Sequence, residues 1–209
     1  NTIKIDDYRN EIFYPTYFNI NKKRNLKIIH VSNFGNRLFN RLYFISIAKK
    51  LSNGLIRRGH DVINISDRDT IKFNRYVSTK SGIDYFNNMI FETVKNYSPD
   101  LLLLGHSDNI SSKTLEKIRE FKNNLKIAQW FEDNLHDDGP DPDLNKKRLL
   151  KNISYIDTNF ITTHPSALNF LNKKKSFYYL PIPVDRNIEK LNIYENNGSV
   201  YDLFFTMSH

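Results

Sequence analysis

The sequence predicts an α/β fold in three layers, with helices on both faces of a mainly parallel sheet. Three observations carry that expectation. From Leu26 onward, apolar runs of strand length alternate with segments of helical period, the pattern of repeated βαβ units. Leu101-Leu102-Leu103-Leu104 is an unbroken apolar run, as a central parallel strand buried on both faces requires. With 39% hydrophobic and 13% aromatic residues in 209, the chain also has enough apolar surface to offset the entropy of ordering it.

The elements follow in order. Lys27 to Ser32 reads as the first strand and Asn33-Phe34-Gly35-Asn36 as the turn after it. Phe44, Ala48, Leu51 and Leu55 recur at helical spacing up to Arg57-Arg58-Gly59, where two cations suit the helix dipole and the glycine can end the helix. Asp61 to Ile65 is the second strand. A helix is expected from Asp84 to Asn96, closed by Pro99, and another from Ser111 or Ser112, as cap, through Phe121. Leu125 to Phe131 is the next strand. Asp141-Pro142 reads as an N-cap with proline at the first helical position, opening a helix to about Ile153. Phe160 to Thr163 forms a strand, Ser166 to Asn172 a short helix and Phe177 to Pro181 the last strand of the unit. Residues 1–25 read as an arm, 26–186 as the domain, 187–199 as a polar linker, and 200–209 as the first strand of a further domain whose remainder is expected after His209.

Several classes are excluded by what is missing. There is no cysteine, hence no disulfide, thiolate nucleophile or thiolate metal site. The turn after the first strand lacks G-x-G-x-x-G, and G-x-x-x-x-G-K-[ST], H-E-x-x-H and G-x-S-x-G are absent, which disfavours dinucleotide enzymes, P-loop NTPases, zincins and the corresponding hydrolases. Asp67-Arg68-Asp69 has a metal-binding form but follows the second strand too early for the fold that uses it. The acidic run from Asp137 to Asp143 is interrupted by Pro140 and Pro142, so capping and solvent exposure explain it better than calcium. The net charge of +8 permits attraction to nucleic acid, anionic lipid or a phosphorylated substrate and does not choose among them. Its clusters, Lys22 to Arg24, Lys146 to Arg148 and Lys173 to Lys175, are scattered as solvated surface usually is, with a membrane-facing patch and a phosphate-binding one as the alternatives.

In open parallel sheets ligands gather outside the carboxyl ends of the strands. This places Asn33, Phe34, Gly35, Asn36, His106, Glu132, Asp133 and His164 at the expected site. The amides of the Asn33–Asn36 turn can face an anion at a helix N-terminus, with an ordinary βα turn as the competing reading. His106 can donate a hydrogen bond or move a proton near neutral pH. Glu132 and Asp133, as neighbouring carboxylates, can raise one another's pKa so that one serves as base toward a sugar hydroxyl. Each also has a purely structural reading as loop or cap residue. His136 and His164 are weaker candidates, His164 being flanked by Pro165 at the entry to a short helix.

Leu55-Ile56-Arg57-Arg58-Gly59-His60-Asp61-Val62, Pro99-Asp100-Leu101 to His106, and Leu180-Pro181-Ile182-Pro183-Val184-Asp185 occur in that order. Together they resemble the amino-terminal domain of GT-B glycosyltransferases, built on a Rossmann-like fold. Trp130 to Asn134 and Tyr201 to Ser208 are most similar to the group 1 (GT4-like) and spore-maturation branch. The resemblance implies catalysis in polysaccharide biosynthesis. The acceptor, a glycan or a lipid-linked chain, would sit mainly on this half, and a nucleotide-sugar co-substrate mainly on a second half. It brings His106, which matches the family's histidine, near the donor sugar; the expected catalytic set is His106, Glu132 and Asp133, with substrate contacts from the first turn, Trp130 and His164. No cofactor, metal or nucleic acid is expected. The implied location is cytoplasmic, with peripheral contact at the inner membrane face allowed, and the chain alone is expected to be inactive. The alternatives are a GT-B-fold nucleotide-sugar epimerase and a non-catalytic flavodoxin-like binding or regulatory domain.

Overall fold

A computed structural model describes residues 24–36, 46–171, 175–187 and 189. Six parallel strands form one sheet in the order β2-β1-β3-β4-β5-β6. The strands are β1 (Lys27–Ser32), β2 (Asp61–Ser66), β3 (Leu101–Leu104), β4 (Lys126–Phe131), β5 (Thr158–Ile161) and β6 (Ser176–Tyr179). The helices are α1 (Ile47–Arg57), α2 (Asp67–Phe73), α3 (Thr79–Tyr97), α4 (Ser112–Phe121) and α5 (Pro142–Leu150), with short 3-10 turns at Ile153–Tyr155 and Pro165–Ala167. The α/β class expected from the sequence is the one the chain forms.

Strand alternation sorts the core into two layers. Ile29, Val31, Leu102, Leu104 and Ile127 pack against Ile71 of α2, Phe86, Ile90 and Val94 of α3, and Leu115 and Ile118 of α4. Phe131 and Ile161 continue that face onto Leu149 of α5. On the opposite face Ile28, Leu103, Ala128 and Trp130 meet Leu51 and Leu55 of α1. Trp130 therefore fills core, 2% exposed, and does not reach the edge where a substrate contact was expected.

Serines start three of the helices: Ser46, Ser78 and Ser111 accept from Lys49, Ser81 and Thr114 amides respectively. Gly59, at φ 88°, turns the chain from α1 into β2. Asp141 precedes Pro142 as expected, but its side chain makes no cap bond; it stands at φ 50°, a left-handed conformation that aspartate tolerates. The segment from Ser166 forms a 3-10 turn, not an α-helix. One element was unforeseen, α2, which follows β2 without a loop. Phe44 and the expected strand at Tyr201–Thr206 lie outside the described residues, as do all but Arg24 and Asn25 of the arm and all but Asn187 and Glu189 of the linker.

After β6 the chain returns to α1. There the buried Asp185 accepts from Asn53 Nδ2 at 2.9 Å and from the Asn187 amide at 2.9 Å, and pairs with Arg57. These hydrogen bonds, led by that from Asn187, hold its carboxyl down at about 2. The tie fixes Pro181 and Ile182 beside the carboxyl edge of the sheet, where they wall the site described next.

Candidate active site

The strand order changes direction between β1 and β3, the usual place for a ligand in an open parallel sheet. In the described residues that crevice is filled by the chain itself. A Cβ on Gly105 would stand 2.5 Å from Ser32 Oγ, so the ends of the two strands touch. Phe34 is buried, edge-on to His30 at 5.2 Å between centroids. The turn amides are also engaged: Phe34 N donates to Ser66 Oγ at 3.2 Å and Asn36 N to Asp69 Oδ2 at 2.8 Å. Asp69 thus supplies the anion that the turn was expected to offer a ligand, and Gly35, at φ 65°, makes the turn possible. Asn33, Phe34, Gly35 and Asn36 are accordingly a braced βα turn. Asp67 likewise has internal partners, the Arg68 amide and Asn109, and burial raises its carboxyl to about 6.

Beneath this turn His30 is fully buried. Its Nδ1 lies 2.7 Å from Ser52 Oγ, which itself donates to Asn64 Oδ1 at 2.7 Å. Ser52 has one proton and gives it to Asn64, so His30 is the donor at Nδ1 and Nε2 keeps its lone pair. Burial lowers the imidazole to about 3, which keeps it neutral.

Two groups of polar side chains remain at the carboxyl edge. The first centres on Arg148 of α5. Its Nε and Nη2 hold the Asp108 carboxylate, both at 3.1 Å, and its Nη1 donates to Asp133 Oδ2 at 2.5 Å. Nη2 also contacts the His106 ring nitrogens at 2.7–2.8 Å. His106 is lowered from its ordinary value chiefly by burial; Arg148 pushes the same way, while Asp108 and Asp133 oppose it. The sequence reading singled out His106 and Asp133 but missed Arg148 and Asp108, the pair that holds them.

The second group lines an open pocket of about 900 Å³ at the ends of β4, β5 and β6. Its walls include Glu132, His136, Thr162, His164, Tyr179 and Ile182. Glu132 and Asp133 separate here, as successive residues leaving a strand do: Asp133 turns to Arg148 and Glu132 toward the pocket. Glu132 Oε2 is buried without a partner, while its backbone carbonyl accepts from Thr162 Oγ1 at 2.8 Å. Burial raises the Glu132 carboxyl and Asp133 adds to the rise, with Arg148 opposing. Desolvation, not pairing of the two acids, is the larger cause. His164 accepts from the Ser166 amide at Nδ1 and packs 5.6 Å from the Tyr179 ring. Among the described residues, no group of three or more His, Cys, Asp and Glu is arranged to hold a metal ion.

The Arg148 arrangement predicts a titration result. In Arg148→Met, followed by NMR of the His106 ring protons, the His106 pKa should rise above its wild-type value. The variant removes the cation and leaves Asp108 and Asp133 facing the imidazole. An unchanged midpoint would show that the contact does not set the charge state.

No protein-family model matches the chain, and no curated protein matches it. Among solved structures, the chain is similar to an alpha-glucosyltransferase in complex with UDP and a 13-mer DNA containing a central A:G mismatch. The identity is 14% and the TM-score 0.45, over 83% of this chain and 45% of that one. This chain thus spans less than half of that protein's length.

Proposed function

We propose that this chain is the acceptor-side half of a GT-B glycosyltransferase that moves a sugar from a nucleotide-sugar to a hydroxyl of a glycan, lipid-linked or polysaccharide acceptor. The observation that carries the reading is Glu132: a carboxylate of raised pKa, one oxygen without a partner, lining an open pocket at the carboxyl edge of a parallel sheet. The ordered sequence phrases that resemble GT-B transferases support it independently, and the group 1 and spore-maturation branch rests on those phrases alone.

In this mechanism an acceptor lies against Tyr179, Pro181 and Ile182 with a hydroxyl at Glu132. Glu132 takes the proton as the oxygen attacks the anomeric carbon. The bond to the nucleoside diphosphate breaks and its electron pair leaves with the phosphate. A base placed this way is what an inverting transfer needs. Neutral His106, held by Arg148, is available to donate a hydrogen bond to the donor sugar. The nucleotide is bound mainly by a second Rossmann-like domain.

One observation favours a second reading. The order β2-β1-β3-β4-β5 is that of flavodoxin-like domains, here with one strand added, so a non-catalytic binding domain would show the same sheet. Incubating the full-length protein with a panel of UDP- and GDP-sugars separates the two. The transferase reading expects release of nucleoside diphosphate from one donor, accelerated by an acceptor. Folded protein that neither binds nor turns over any donor would leave the binding-domain reading in its place.

A further inference from the structure

The segment joining α2 to α3 presents side chains that an isolated soluble surface has no use for. Tyr76 is 83% and Val77 96% exposed. Lys72, Arg75 and Lys80 flank them in sequence, all exposed, and no acidic residue occurs between Thr70 and Ile83. Scattered single apolar residues on a surface are ordinary. An aromatic and an aliphatic side chain adjacent in the chain and almost wholly in water, with cations on either side in the sequence, are a different case.

The position of this segment follows from α3. The carboxyl end of that helix is fixed at the amino edge of the sheet, where the Tyr97 hydroxyl donates to the Asp61 carbonyl and Lys27 Nζ reaches the Tyr97 carbonyl. Nineteen residues of helix extend roughly 27 Å from that point, beyond the roughly 20 Å of a six-residue strand. The α2–α3 turn therefore lies at the carboxyl rim, on the side of the molecule that holds the candidate site.

We propose that residues 72–80 form a membrane-docking loop that seats Tyr76 and Val77 in the headgroup region of an anionic bilayer. Charge complementarity selects the partner. Three cations with no intervening acid attract a negatively charged surface, while the tyrosine and valine gain by leaving water. A nucleic acid would use the cations and the tyrosine ring, but Val77, the most exposed of the set, would have no role there. The inference does not rest on the transferase reading. Where both hold, the candidate site faces the surface on which a lipid-linked acceptor resides.

The test is sedimentation of the chain with vesicles of phosphatidylcholine alone and with about one third phosphatidylglycerol. Binding is expected only to the anionic vesicles, and to fall as salt is raised. Exchange of Lys72, Arg75 and Lys80 for Gln should weaken it on the order of a hundredfold. Tyr76→Ser with Val77→Ser should weaken it while sparing the thermal transition, because neither side chain is packed. The chain has a single tryptophan, the buried Trp130, so Tyr76→Trp adds an exposed reporter whose emission should shift blue with anionic vesicles only. Equal binding by wild type and both variants would overturn the proposal. So would an unshifted Trp emission, or loss of binding to an oligonucleotide with vesicle binding untouched.

Discussion

Glu132→Gln is expected to lower the rate of sugar transfer by about 10²- to 10⁴-fold, the usual contribution of a general base, with donor affinity little changed. The substitution keeps the shape of the side chain and removes only its ability to take a proton. Folding should survive, since Glu132 Oε2 has no partner to lose and the strand-end contact runs through the backbone carbonyl to Thr162. The same residue sets the pH dependence. A base acts only when deprotonated, so the rate should rise with pH through the Glu132 midpoint, which burial raises from its ordinary value. That acidic limb should vanish in Glu132→Gln. Asp133→Asn should act less, through loosening of Arg148 and His106, and should keep the limb. A Glu132→Gln enzyme turning over at the wild-type rate would remove Glu132 from the chemistry while leaving the fold assignment intact.

Strands were the legible part of this fold, for a reason that β1 and β3 illustrate. Parallel strands buried on both faces are apolar at nearly every position, so Leu101 to Leu104 announces itself outright and Ile28 to Val31 does so with one interruption, the buried His30. Helix α2 was not legible. Its seven residues bury only Ile71 among the apolar ones, and its two buried aspartates read as a loop or a metal motif until their partners, the β1 turn and Asn109, are known. His106, Glu132 and His164 could be named because strand ends are predictable from strands. Arg148 could not, because it sits 42 residues from His106 in a basic run that composition assigns to solvent. Its role exists only once α5 is packed across the ends of β3 and β4. Trp130 failed in the opposite direction: a large aromatic beside the end of β4 was expected to touch substrate, but alternation along the strand sends it into the core against α1.

Gly82→Ala is expected to destabilise the protein by about 1–3 kcal/mol, the range for overpacking a tight contact. At two to four degrees per kcal/mol in a chain of this size, that lowers Tm by roughly 2–12 °C. Helix propensity alone predicts the reverse, since alanine in a helix interior is favoured over glycine by about 1 kcal/mol. Geometry decides between them. A Cβ at Gly82 would lie 2.3 Å from the Ile71 carbonyl oxygen and 3.0 Å from its carbon, backbone atoms that cannot rotate away. To make room, α2 must lift from α3, and the Ile71 carbonyl also accepts from the Asn74 amide that ends α2. Gly54, in the middle of α1, provides the control: a Cβ there meets nothing within 4 Å. Gly54→Ala should therefore stabilise by about 0.5–1 kcal/mol. Thermal melts that move in opposite directions would establish that glycine at 82 is required by the approach of the two helices. Melts that both rise would mean α2 is not seated on α3 at all.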